Sequence, residues 1–171
     1  LIDGDKLIAV LATEMKKEGR LNKDTAVVTV MTNMGFKLFA RDNDITVAET
    51  GVGDRYVLEE MLKNDYSIGG EQSGHIIFRE FATTGDGQLS GVQFAAAMAK
   101  NNKTASELAS IMETLPQVMI NVTVQSGAKE VLQVDDEIKA SILYAEKALG
   151  KDGRILVRAS GTEPLVRVML E

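Results

Sequence analysis

An α/β fold followed by a small α+β unit is what this sequence predicts, and three observations carry that reading. Over residues 1–115, short β-branched runs alternate with amphipathic helical stretches, the order expected of a three-layer α/β/α domain with a mixed sheet. After Pro116, one of only two prolines, the pattern changes to long alternating strands around a single helix, which predicts a second domain over 116–171. The composition, 44% hydrophobic and 26% charged, is that of an ordinary globular chain.

Each element has a local reason. Leu7, Ile8, Leu11 and Met15 recur at helical spacing between Lys6 and Lys17, and Gly19 is a natural stop. "AVVTVM" (26–31) reads as a buried strand, "NMGFKLFARDN" as the helix after it, and "ITVAE" as a second strand. Asp54 is placed to cap a helix whose apolar face is Val57, Leu58, Met61 and Leu62. Strand-like "YSIGG" and "HIIF" follow. Asp86 begins a helix with Leu89, Val92, Ala96 and Ala99 on one stripe, and Thr104 with Glu107 forms a capping box for a helix with core face Leu108, Ile111, Met112 and Leu115. In the second domain "QVMINVTVQ" alternates as a strand. Asp135, Asp136 and Glu137 open a helix carrying Ile138, Ile142, Ala145 and Leu149, which Gly150 ends. "GRILVRA" and "PLVRVMLE" form an antiparallel pair joined by "SGTE".

Charge and residue counts exclude several classes. Nineteen Lys and Arg against 25 Asp and Glu leave a net charge of −6, which argues against a general nucleic-acid or membrane surface, so any anion site is local. The absence of cysteine removes disulfides, thiolate nucleophiles and cysteine zinc sites, and fits a cytoplasmic protein. No apolar run approaches the roughly 20 residues of a membrane span. The first residue is Leu1 and the last lies inside an alternating apolar stretch, so a piece of a longer chain is expected.

Two stretches carry candidate chemistry. In "GGEQSGHIIF" (69–78) Glu71 and Ser73 offer the carboxylate and hydroxyl that bind polyols, and His75, the single histidine, is suited to proton movement or phosphate binding. A polar loop with a partly buried histidine is the alternative. In "RILVRASGTEPLVR" the turn of Ser160, Gly161 and Thr162 offers hydroxyls and backbone N–H groups to an anion, and Arg158 and Arg167 flank it with guanidinium forks suited to phosphate. A plain hairpin with two edge arginines is the alternative there. "IDGDK" (2–6) has only Asp3 and Asp5 and is read as a helix cap, with no metal assigned; Asp54 in "GVGDR" and Asp86 in "TTGDG" are read as caps too.

Taken in order, "VGDRYV" (52–57), "GGEQSGHI" (69–76), "TTGDG" (83–87) and "RASGTEPLVRVMLE" (158–171) resemble the α-D-phosphohexomutase superfamily, and within it the phosphoglucosamine mutase group. The resemblance covers essentially the whole chain and corresponds to the third and fourth of that family's four domains. It implies a fourth domain similar to the TATA-box-binding-protein fold, lacking its last helix here. It also implies an enzyme that interconverts glucosamine 6-phosphate and glucosamine 1-phosphate through a phosphoserine and a 1,6-bisphosphate. The phosphoserine loop and the Mg²⁺ ligands of such enzymes belong to the first two domains and are not in this chain.

By the same resemblance, Arg158, Ser160, Gly161, Thr162 and Arg167 grip the phosphate that is not reacting, Glu71 and Ser73 take ring hydroxyls, and His75 lies near the transferring phosphoryl group. The implied partners are a hexosamine phosphate substrate and the N-terminal half of the same enzyme, with no nucleic acid and no membrane. A phosphomannomutase/phosphoglucomutase piece, or a non-catalytic sugar-phosphate-binding module, remains the alternative.

Overall fold

The computed structural model describes residues 1–125, 131–132, 134–151, 153–160 and 163–171. It divides into two compact units, Leu1–Thr114 and Leu115–Glu171.

The first unit is built on a four-stranded mixed sheet in the order β2-β1-β3-β4, made of β1 (Thr25–Thr29), β2 (Thr46–Thr50), β3 (Ile68–Gly70) and β4 (Ile76–Phe78). β1 runs parallel to β2 and β3, whereas β4 returns antiparallel to β3. The period-2 alternation of strands decides the layers. Ala26, Val28, Ile76 and Phe78 face α1 (Gly4–Lys17) and α2 (Met34–Asp42), while Val27 and Ile77 face Val57 and Met61 of α3 (Asp54–Asn64). Phe36, Ile8 and Met61 are fully buried in these two layers. α4 (Gly87–Asn101) and α5 (Ala105–Ala109) then pack Phe94, Ala97 and Leu108 against Val10 on the outer side of α1.

Several helical details differ from the expected ones. The buried face of α4 is Ser90, Phe94 and Ala97, not the stripe through Val92, Ala96 and Ala99, and Val92 is 65% exposed. The buried face includes a serine and the predicted stripe is wholly apolar, so periodicity points to the other side; the aromatic ring of Phe94, packed with Val10, decides the face. Leu62 is likewise exposed, and only Val57 and Met61 of α3 are fully inside. Helix α5 is five residues long, which leaves Ile111 outside it and exposed although Leu108 and Met112 are buried.

Its capping box is formed as expected. Thr104 N–H donates to Glu107 Oε2 at 2.7 Å, the Thr104 hydroxyl lies 2.7 Å from the same oxygen, and Glu107 N–H returns a bond to Thr104 Oγ1 at 3.3 Å. The backbone bond from Thr104, and then its side-chain bond, hold the Glu107 carboxyl below the usual glutamate value of 4.5. A depressed carboxyl contributes stability that is present above that value and is lost as pH falls through the folded one. Amide protection over residues 105–109 is therefore expected to fall as acid is added below about pH 4.5. In Glu107→Gln that acid limb is expected to flatten, and an unchanged pH profile in the variant would show that another group carries it.

The second unit is a three-stranded antiparallel sheet, β5-β7-β6, with β5 (Val118–Thr123), β6 (Ile155–Ala159) and β7 (Leu165–Leu170). Helix α6 (Asp136–Leu149) is capped by Asp135, whose carboxylate accepts the Ile138 N–H at 2.9 Å. Its half-buried positions include Ile138, Ile142, Ala145 and Leu149, the predicted stripe, yet none is fully buried. Between α6 and the sheet runs an apolar groove of about 620 Å³ lined by Val122, Val157, Val166 and Val168 with Ile138 and Ile142. Strand β5 is exposed along its whole length. Hydrogen exchange is accordingly expected to be faster over 118–171 than over β1 and α1, because local opening there uncovers little buried apolar surface. Equal protection in the two units would refute this ranking.

Candidate functional site

Glu71, Ser73 and His75 all lie on the loop that joins β3 to β4. The strands meet in register with Gly70 opposite Ile76, and the loop closes on itself: Glu71 N–H donates to the His75 carbonyl at 3.0 Å and Gly74 N–H to the Glu71 carbonyl at 2.9 Å. Gly74 takes φ +100°, a backbone conformation that side chains disfavour. The tight turn displays Ser73 and His75 to solvent while Ile76, Ile77 and Phe78 sink into the core directly behind them. His75 is exposed, not partly buried, and its ring lies over Gly85 of the "TTGDG" segment.

Two contacts made by this loop were not legible in the sequence. Gly4 N–H, at the start of α1, donates to the Gln72 carbonyl at 2.9 Å. Glu71 Oε1 accepts the Gly53 N–H at 3.1 Å. Gly53, at φ +131°, is the N-cap of α3 and has no side chain with which to cap it. The carboxylate of Glu71 thus serves that helix end from another loop, where a negative charge is favourable. Asp54 is not the cap: it is the first helical residue, and its carboxylate accepts the adjacent Arg55 N–H at 2.9 Å. The signal available in the sequence was the glycine at 53, which permits a positive φ but says nothing of its partner. Asp86 does cap α4, accepting from Gln88 and Leu89 at 2.9 and 3.0 Å.

In the second unit Arg158 of β6 stands directly opposite Arg167 of β7, with Asn121 of β5 next in the row. Cross-strand partners share a face. The valines lining the groove under α6 occupy the alternate positions, so both arginines lie on the sheet face away from α6. Ser160 is 4% exposed. Its N–H donates to the Leu165 carbonyl at 2.8 Å and its hydroxyl accepts the Glu163 N–H at 3.2 Å, which shapes the turn. Arg167 also reaches Glu163 at 2.6 Å. Gly161 and Thr162, the other two residues assigned to this turn, lie outside the described residues. Two guanidinium groups in adjacent register repel each other, and a dianion placed between them relieves that repulsion through charge-assisted bonds.

The fit to a metal is different. Asp3 caps α1 by accepting the Lys6 N–H at 3.0 Å, and buried Asp5 accepts the Asn33 N–H at 2.8 Å. Among the described residues no three carboxylate, histidine or cysteine groups are gathered as a metal site. No described helix is long and apolar enough to cross a membrane.

Comparison with known proteins agrees with this fold. Residues 3–115 match the family model "Phosphoglucomutase/phosphomannomutase, alpha/beta/alpha domain III", and residues 119–171 match that of the same family's C-terminal domain. Over all 171 residues the chain is 54% identical to phosphoglucosamine mutase of Clostridium botulinum (strain Kyoto / Type A2) and 53% identical to that of Corynebacterium jeikeium (strain K411). The match takes in 100% of this chain and 38% of the length of each relative. Among solved structures, Aspergillus fumigatus N-acetylphosphoglucosamine mutase shares the fold with a TM-score of 0.81 at 21% identity, over 100% of this chain and 40% of that one. The same enzyme in complex with GlcNAc-6P and magnesium gives 0.79, also at 21% identity and over the same shares of the two chains. With both family models matched in order along nearly its whole length, the chain belongs to the phosphoglucomutase/phosphomannomutase family, of which it carries domain III and the C-terminal domain.

Proposed function

We propose that this chain supplies sugar and phosphate recognition to a longer phosphoglucosamine mutase, which interconverts glucosamine 6-phosphate and glucosamine 1-phosphate for amino-sugar and cell-wall precursor synthesis. The observation that carries the reading is the register of Arg158 against Arg167 beside buried Ser160. In the reaction, a phosphoserine elsewhere in the protein gives its phosphoryl group to the free sugar hydroxyl, which makes the 1,6-bisphosphate. The intermediate turns over, and the serine takes back the other phosphoryl group. The magnesium that assists the transfer is held outside this chain.

A ligand that binds in two orientations needs contacts that do not depend on which end is reacting. Arg158 and Arg167, with Ser160, Gly161 and Thr162, grip whichever phosphate is idle. Glu71 Oε1 is occupied by Gly53, so Oε2 and the Ser73 hydroxyl take the sugar hydroxyls. His75, exposed at the loop's end, donates a hydrogen bond to the transferring phosphoryl oxygens. Phosphoryl transfer depends mostly on positioning and charge stabilisation, which is the part these residues play.

The test is turnover of glucosamine, mannose and glucose 6-phosphates by the full-length protein, together with the 171-residue chain alone. The longer protein is expected to prefer the glucosamine substrate, and the chain alone is expected to bind it weakly without turning it over. Mutase activity in the chain alone would overturn the division of labour, and a preference for mannose or glucose would move the protein to another branch of the family.

A further inference from the structure

We propose that Gly4 is a positioning residue for the β3–β4 loop: its backbone, free of a side chain, is the seat that sets where Glu71, Ser73 and His75 stand. The proposal rests on the sugar-loop reading above for its functional consequence, and on geometry for the seat itself.

A β-carbon at position 4 would lie 2.0 Å from the Glu71 carbonyl oxygen, 2.8 Å from the Gly74 nitrogen and 2.9 Å from the Gln72 carbonyl oxygen. All three are backbone atoms and have no rotamer by which to move aside. Two of them, the Glu71 carbonyl and the Gly74 N–H, form the bond that closes the loop. Gly4 also donates its own N–H to the third at 2.9 Å. Helix propensity points the other way, since alanine is the better helix former in a first turn. Glycine here answers to the loop, not to the helix.

The seat is held from behind. Asp3 caps the first turn through the Lys6 N–H, and Asp5, with no exposed surface, accepts the Asn33 N–H at the connection between β1 and α2. On its other side the loop is held by Glu71 to Gly53. The loop is therefore held at the first turn of α1 through its backbone and at the start of α3 through the Glu71 carboxylate, and a displacement of about 1 Å is enough to spoil the alignment of groups that hold a reactant.

The experiment uses the 171-residue chain, with amide exchange and nitrogen–proton shifts as readouts and glucosamine 6-phosphate as the probe. In Gly4→Ala the amides of Glu71 and Gly74 are expected to lose about 10-fold or more of their protection while those of Val27 and Val28 keep theirs. The ligand-induced shifts at Glu71 and Ser73 are expected to need about 10-fold more ligand. Asp3→Ala weakens the same helix end without placing an atom against the loop, and is expected to leave the Glu71 and Gly74 amides unchanged. Normal loop amides in Gly4→Ala, or equal loss in Asp3→Ala, would overturn the proposal.

Should Gly4→Ala fail to fold, the unsubstituted chain still decides: the amides of Gly4, Glu71 and Gly74 are expected to open as one group. Gly4 opening instead with the interior of α1 would sink the idea. Absence of ligand shifts in the unsubstituted chain would count against the sugar-loop reading and leave the seat to be judged on its amides.

Discussion

Replacing Arg158 and Arg167 together by alanine is expected to abolish the response of this chain to inorganic phosphate or a sugar phosphate in a titration. In the proposed clamp each guanidinium would make charge-assisted bonds to the dianion, worth about 1.5–3 kcal/mol, so one replacement is expected to weaken binding by about 10-fold to 100-fold. The register sets the arginines side by side on one face of β6 and β7, so a single anion can bridge them. Fold is not at issue in the variant, since both side chains are partly exposed and lie on the face opposite α6. Arg167 is partly neutralised by Glu163, so Glu163→Gln is expected to move the affinity the other way, toward tighter binding. Phosphate shifts of unchanged midpoint in Arg158→Ala would remove the clamp from the account.

Glu171→Ala is expected to destabilise the second unit by about 3–5 kcal/mol, the usual consequence of leaving one member of a buried ion pair alone. The Glu171 side chain is 0% exposed and its Oε2 meets Arg154 Nε at 2.6 Å, while its Oε1 accepts from Gln117 at 3.0 Å. The main chains of the same two residues exchange N–H to carbonyl bonds at 3.0 Å in each direction, so the pair closes one end of the β6–β7 ladder. The unit has few buried apolar groups to spare, Val166 and Met169 being its fully buried hydrophobics among the described residues. Denaturant melts followed by amide signals in β6 and β7 measure the loss. A double change, Arg154→Leu with Glu171→Leu, is expected to be much milder, because it leaves no charge without its counter-ion. If the single and double variants melt alike, the cost comes from packing and not from charge.

Much of the architecture was readable along the chain because the interactions concerned are local. The near-continuous β-branched run "AVVTVM" marks a strand buried on both faces, the 3.6-residue recurrence in α1 and α6 reports which side of each helix meets a core, and the caps at Asp86, Thr104 and Asp135 bond within three residues of themselves. The antiparallel pairing of β6 with β7 followed from two alternating runs joined by a short turn. Where the reading failed, the deciding partner was distant. The face of α4 differs from the periodic one because packing against Val10 of α1 selects Phe94. A carboxylate at a helix start usually caps it, as the sequence predicts for Asp54, whereas the Gly53 N–H bonds to Glu71, 18 residues beyond Gly53.

By itself, then, the order of residues determined the succession of strands and helices, the change of pattern after Pro116 and the two polar turns with their chemistry, because each depends on neighbours a few positions apart. Only the tertiary structure decided that Gly4 underlies the loop carrying Glu71, and that Arg158 faces Arg167 across a ladder. Hydrogen bonds and close approaches between residues tens of positions apart depend on how whole elements pack, and no short window of sequence contains that information.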